Sequence, residues 1–203
     1  MGNNHIDSWM STDVFMQQLE SNISNLNSNK YPQHWFDFIN ILDYISKEKS
    51  NLRLLDVGCG AGYYYEICKR HFPKIYYFGI DFSEYAIDIA RKYWSENNFD
   101  VLGYQSLHQD YISKFDVMHA GALLDVLPNG DDALDFLLSL GSHFVIIGRV
   151  DFVSEPSYSY DYDAYGKVFT RFKHNLENFT NTCREHNYVI QNLNNTILLK
   201  KKL

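Results

Sequence analysis

Apolar residues follow two different periods along this chain. From Thr12 to about Leu26, Val14, Phe15, Leu19, Ile23 and Leu26 recur at helical spacing. A second helix is predicted from Pro32 to Lys47, with Trp35, Phe36, Phe38, Ile39, Leu42 and Ile45 on its apolar side. Pro32 suits its first turn, where a missing N–H costs nothing. Residues 1–12 read as a frayed end. Beyond residue 50 short apolar runs alternate with helical patterns. Strands are predicted at Arg53–Val57, Ile75–Ile80, near Asp100–Tyr104, at Phe115–His119 and at Phe144–Arg149. Helices are predicted at Gly62–His71, Ser83–Trp94 and Asp131–Leu140. Such alternation implies a parallel sheet with helices on both faces, an α/β architecture. The end differs: a helix around Lys167–His186 is followed by YVIQNL and TILLKKKL, separated by Asn194-Asn195. An Asn-Asn pair between two β-prone runs predicts a tight hairpin.

The most informative stretch is LLDVGCGAG at residues 54–62. An apolar run ends in Asp56, and three glycines follow in G-x-G-x-G spacing, Gly58, Gly60 and Gly62, before a helical pattern opens on Tyr63. Glycine lets the backbone take positive φ and come close to a ligand that a Cβ would push away. A second acid, Asp81, closes the next strand in YYFGID. Taken singly, each glycine is a turn glycine of any α/β fold, and Asp81 is a helix N-cap ahead of Ser83 and Glu84. Order and spacing together point to a ligand.

The two acids discriminate between ligands. A dinucleotide fingerprint wants G-x-G-x-x-G, so that pyrophosphate can sit on a free helix N-terminus. Here Tyr63 follows Gly62, and a carboxylate at Asp56 repels phosphate but suits an ammonium. A carboxylate after the second strand suits the two hydroxyls of a ribose. An amino-acid end, a ribose and no phosphate describe S-adenosylmethionine (SAM).

On these residues the chain resembles the Rossmann-like, class I, SAM-dependent methyltransferase family, well over roughly residues 50–150 and loosely beyond. The resemblance implies a doubly wound, mostly parallel seven-stranded sheet with an antiparallel last strand, which the C-terminal hairpin would supply. It implies an N-terminal helical cap, residues 1–50, and a SAM-binding domain, residues 51–203. It places Asp56, Gly58 and Gly60 at the methionine end of SAM, with Gly62 opening the helix. Asp81 would hold the ribose hydroxyls and Phe82 would pack on the adenine. After the third strand the family usually places an acid on the adenine amino group, then a backbone donor. Gln105 and Ser106 stand at that point, and the Gln carbonyl can accept in the acid's place. Asp110 is the alternative acid, closer to the fourth strand. Ala120 and Gly121 would pass the methionine and the sulfonium. Many relatives end that segment in an acid–His pair; here Asp125 matches the acid and Val126 stands where the His would be.

Composition narrows the partners. With 203 residues, 45% apolar and 21% charged, the chain suits one soluble domain with a short cap. A net charge of −7 and no Lys/Arg cluster before Lys200, Lys201 and Lys202 argue against a nucleic-acid substrate. Cys59, Cys68 and Cys183 are odd in number and lack metal-ligand spacing, so free thiols, no metal and a cytoplasmic location are expected. The N-terminus is polar, without the apolar core of a signal peptide, and no stretch approaches a membrane span.

Methyl transfer to an alcohol benefits from a base. His119, at the end of the fourth strand, is the first candidate, against the plain reading of a satisfied strand-end histidine; His34 in the cap is the second. His143, before the fifth strand, is structural on this reading. The acceptor pocket is expected between the cap and the loop RVDFVSEPSYSYDYDAYG, with Arg149, Tyr158 and Tyr160 as substrate-binding candidates beside Asp151, Tyr162 and Tyr165. Tyrosines among carboxylates suit a sugar or small aromatic acceptor, although a Tyr-rich surface loop in a chain with 16 Tyr is the simpler reading. The expected activity is therefore SAM-dependent methylation of a small-molecule hydroxyl or amine. A SAM- or S-adenosylhomocysteine (SAH)-binding partner or regulator without catalysis is the alternative, and an NAD-type oxidoreductase is disfavoured by Tyr63 and Asp56.

Overall fold

The computed structural model describes Trp9, residues 11–193 and residues 195–202. The expectation of a frayed end falls mostly outside these residues, as does Asn194 of the predicted hairpin turn. Two helices come first, α1 (Thr12–Ser28) and α2 (Gln33–Glu48). Pro32 is the N-cap of α2 rather than a first-turn residue. Helix α2 buries Trp35, Phe38, Ile41, Leu42 and Ile45, a stripe at helical spacing, while Phe36 faces out.

The alternating part runs β1 (Arg53–Val57), α3 (Tyr63–His71), β2 (Tyr76–Asp81), α4 (Glu84–Tyr93) and β3 (Phe99–Val101). A 3₁₀ turn (Tyr104–Ser106) and the short α5 (Gln109–Ile112) lead to β4 (Val117–Ala120), α6 (Gly130–Ser139) and β5 (Phe144–Gly148). The strands pair in the order β3-β2-β1-β4-β5-β10-β9, where β9 (Tyr188–Leu193) and β10 (Thr196–Lys201) form the C-terminal hairpin. Strands β1 to β5 are parallel, and β10 inserts antiparallel beside β5. The expected seven-stranded, mostly parallel sheet with an antiparallel end is what forms.

Strand parity splits the core. Leu54, Val117 and Ile146 face α2, α3 and α4, whereas Leu55, Val57, Met118, Val145 and Ile147 face α6 and α7 (Leu176–Glu185). The strand order reverses between β1 and β4, and α1 lies against α3 and α4. An open α/β sheet leaves its binding crevice at such a reversal, beyond the carboxyl ends of the strands.

One predicted element is wrong. Lys167–Asn175 is not helical; it is β8, which pairs along its length with β7 (Tyr158–Ala164) and at its end with the short β6 (Phe152–Val153). Val168, Phe169 and Phe172 imitate a helical stripe, but the β-branched and aromatic run KVFT prefers a strand once a partner is beside it. Tyr165 and Gly166, both at positive φ (52° and 70°), join β7 to β8 as the two-residue turn that matches strand twist. The helix starts later, at Leu176, where the Asn175 side chain accepts from the Asn178 N–H at 2.8 Å. Among the described residues no helix is long and apolar enough to cross a membrane.

Candidate active site

The glycine loop is tied to the neighbouring strand by its own backbone. Gly58 and Cys59 N–H groups donate to the Ile80 carbonyl at 2.8 and 3.0 Å, and the Gly60 N–H donates to Asp81 Oδ2 at 2.9 Å. Gly58, Gly60 and Gly62 take φ of 72°, 53° and 78°, the left-handed region in which an L side chain is strained. Asp81 also accepts from the Ser83 N–H at 2.9 Å through Oδ1, and Ser83, not Asp81, caps α4. Asp81 is buried, and burial raises its pKa against those two N–H bonds. Each of its oxygens keeps a lone pair for a further donor.

A cavity of about 670 Å³ opens over the ends of β1 to β5. It lies within the range of about 300–1,000 Å³ typical of ligand pockets. Asp56, Gly58, Gly60, Asp81, Phe82, Gln105, Gly121 and Arg149 all line it. Sequence-distant candidates are thus brought together from the segments that follow five strands. Phe82 presents a 45% exposed ring to this space. Gln105 borders it from the 3₁₀ turn, while Ser106 beside it does not, and Gly62 and Ala120 lie outside the lining as well. After β4 the lining is Gly121–Leu123, one residue further on than Ala120–Gly121.

Three expectations change on the structure. Asp56 is only 1% exposed and its oxygens are already engaged: Oδ1 accepts from His119 Nδ1 at 2.8 Å, and Oδ2 accepts from the Tyr77 hydroxyl at 2.5 Å. What it presents to the cavity is a buried negative charge rather than a free acceptor. His119 is fully buried and borders no part of the cavity, so it does not reach an acceptor from there. It is the β4 register partner of Asp56, packed between the Phe38 and Tyr64 rings, and its Nε2 has no hydrogen-bond partner among the described residues. Tyr158 and Tyr160 are carried away along β7, Tyr160 lying under the Lys173 ammonium, whereas Tyr162 and Tyr165 reach the cavity.

The first helix and the start of α3 add lining residues to which the sequence assigned no role. Helix α1 contributes Phe15, Gln18, Ser21 and Asn22, three of them a polar stripe at i, i+3, i+4. Tyr63 and Tyr64 line it from the first turn of α3, and burial lifts the Tyr63 hydroxyl to about 12. His34 lines it too; burial, then the charge of Arg149, holds the imidazole down to about 4, so it is neutral at pH 7. His34 extends the buried stripe of α2 by one turn ahead of Phe38, which is the sequence signal that would have promoted it over His119.

Behind the cavity, Asp125 is 1% exposed and no hydrogen bond reaches its carboxylate among the described residues. Arg149 Nε and Arg171 Nη2 stand 3.9 and 3.7 Å from Oδ2, and burial lifts the carboxyl to about 6 against their pull. Among the described residues no cluster of His, Cys, Asp or Glu is arranged for a metal ion.

The family described as "Methyltransferase domain" matches residues 48–198. The ubiquinone biosynthesis O-methyltransferase of Actinobacillus pleuropneumoniae serotype 5b (strain L20) is 30% identical over 99 residues, which are 43% of this chain and 42% of that protein. The ribosomal RNA large subunit methyltransferase G of Shewanella sediminis (strain HAW-EB3) is 34% identical over 86 residues, 42% of this chain and 21% of that protein. The chain thus spans less than half the length of these curated relatives. A crystal structure of an S-adenosylmethionine-dependent methyltransferase from Clostridium acetobutylicum ATCC 824 superposes with a TM-score of 0.62 at 12% identity, covering 93% of this chain and 99% of that one. That likeness is one of fold.

Proposed function

The chain belongs to the methyltransferase domain family, and from that premise we propose that it transfers a methyl group from SAM to a small-molecule hydroxyl or amine. The observation that carries the reading is the placing of Asp81, Phe82 and the glycine loop around one cavity with room beyond them. The residues fit the cofactor: Asp81 has lone pairs for two ribose hydroxyls, Phe82 offers a flat face to a base, and nothing approaches the missing Cβ of Gly60 closer than Phe15 Cε1 at 3.8 Å. Gln105 borders the adenine side. The buried negative charge of Asp56 suits an ammonium and opposes a dinucleotide's pyrophosphate.

When bound, SAM supplies an electrophilic methyl carbon on a sulfonium, so in-line positioning of the acceptor is most of the protein's task. Tyr63, Tyr162 and Tyr165 offer that acceptor apolar faces and hydroxyl tips at the β5 side of the cavity. Neutral His34 is placed to take the acceptor's proton. A small acceptor is favoured over RNA by the net charge of −7 and by a lining that holds Asp56, Asp81 and Asp132 against one arginine. Three buried free thiols fit a reducing compartment, the cytoplasm.

The test is transfer from methyl-labelled SAM to a mixture of sugars, phenols and amines beside ribosomal RNA. Label in the small-molecule fraction supports the reading. Label in RNA alone overturns the acceptor class, and tight SAH binding with no transfer to anything supports the non-catalytic alternative.

A further inference from the structure

Arg149 stands between the buried Asp125 carboxylate and the cavity. It ends β5 in the left-handed region, φ 63°, a conformation held where surrounding structure over-determines it. Its side chain is 40% exposed and borders the cavity. Among the described residues it makes no hydrogen bond; the Asp125 carboxylate oxygen, 3.9 Å from Nε, is at ion-pair distance but beyond hydrogen-bonding range. A guanidinium carries five N–H donors in a planar fork, and here they are unspent.

Resting on the reading that cofactor and acceptor share this cavity, we propose that Arg149 anchors a carboxylate of the acceptor, so that the substrate is an organic acid, such as a hydroxybenzoate or a uronic acid. The fork matches a carboxylate in bidentate geometry. A phosphate dianion is the poorer match. Arg149 is the single Lys or Arg among the described lining residues, it faces the Asp125 carboxylate from behind at 3.9 Å, and Asp56, Asp81 and Asp132 line the same space. Tyr162, Tyr165 and neutral His34 beside it would flank the ring of such an acid. Sheet order separates this anchor from the cofactor. Arg149 follows β5, Asp81 closes β2, and β4 and β1 lie between them, so three strand spacings, roughly 14 Å, divide the two charges. The glycine loop after β1 is two spacings from Arg149, roughly 10 Å.

The experiment is titration calorimetry on the full chain saturated with SAH, using 4-hydroxybenzoate against 4-hydroxybenzamide and glucuronate against glucose. Wild type is expected to prefer one acid over its neutral partner by about tenfold or more, the range of a charge-assisted hydrogen-bond pair. In Arg149→Gln the preference should collapse to within about threefold, while SAH and 5′-methylthioadenosine bind as before. If that variant does not fold, Arg149→Lys keeps the charge and loses the fork, and should cut the preference several-fold. No acid preference in wild type, including binding of neither acid, overturns the proposal, as does a preference that survives in Arg149→Gln. Weakened SAH with unchanged 5′-methylthioadenosine in Arg149→Gln also overturns it, because Arg149 would then hold the cofactor's own carboxylate. A wild type that binds no SAH refutes the methyltransferase reading itself and takes this proposal with it.

Discussion

Two alanine substitutions in one loop should separate folding from binding. A Cβ on Gly62 would stand 2.6 and 2.7 Å from Cε1 and Cζ of Phe99 and 3.0 Å from the Ala90 Cβ. Phe99 is 2% exposed between α4 and the sheet, so its ring has nowhere to go. Two costs add: about 1–2 kcal/mol for a left-handed backbone with a side chain, and about 1–3 kcal/mol for overpacking. A mid-range loss of about 3 kcal/mol lowers Tm by roughly 6–12 °C in a chain of this size. Gly60 is different. Its φ is 53°, but the nearest atom to a new Cβ is Phe15 Cε1 at 3.8 Å, so only the backbone cost of about 1–2 kcal/mol applies to folding. Gly60 lines the cavity and Gly62 does not. Gly60→Ala should therefore keep most of its stability and weaken SAH by about 5- to 150-fold, the overpacking cost transferred to the ligand. Gly62→Ala should lose stability and, at a temperature where it remains folded, bind SAH nearly as wild type does. Urea and thermal unfolding give the first quantity and calorimetry the second. Equal losses of Tm in the two variants, or a folded Gly62→Ala that fails to bind SAH, refute the steric reasoning.

His34→Gln should lower kcat on a hydroxyl acceptor by about 10²–10⁴-fold with little change in SAH affinity. Because the base form of His34 exists above a pKa of about 4, the acid limb of kcat/KM should fall near pH 4 rather than near 6.5; a limb near 6.5 that His34→Gln leaves in place assigns the base elsewhere. Asp125 should be visible in the pH dependence of folding. Its folded pKa of about 6 exceeds the ordinary carboxyl value of 3.8, so the native state binds more protons than the unfolded chain between those values. Its contribution is most favourable below about pH 4 and declines as pH rises to 6, by about 3 kcal/mol in all. Asp125→Asn should remove that decline, so the stability of wild type relative to the variant should drop between pH 4 and pH 7; a constant difference contradicts it.

Much of this was legible because it is local. The strand from Arg53 to Val57, the glycine loop and the acid after β2 are contiguous signals, and their order along the chain is the order of the crevice. The two strands of the C-terminal hairpin were equally legible from their β-prone runs. What failed was non-local. Whether KVFTRFKHN is helix or strand depends on β7 lying beside it, and the register of β7 then decides that Tyr162, not Tyr158 or Tyr160, reaches the cavity. His119 illustrates the same limit. It sits at the carboxyl end of a strand, where chemistry is expected, but the parity of β4 aims it at Asp56 and the helices. His34 lies far away in sequence and arrives through the packing of α2. The contributions of α1 could be read as a polar stripe, but its meaning appears only once α1 rests against α3 and α4.

The most direct test of the account is titration of SAH into wild type and Asp81→Asn. The ring of donors and acceptors around the cavity predicts micromolar binding by wild type and a loss of about tenfold or more in the variant, whose amide keeps the size of the carboxylate but not its charge-assisted bonds to the ribose. Equal affinity in the two proteins would contradict the assignment of this cavity to SAM.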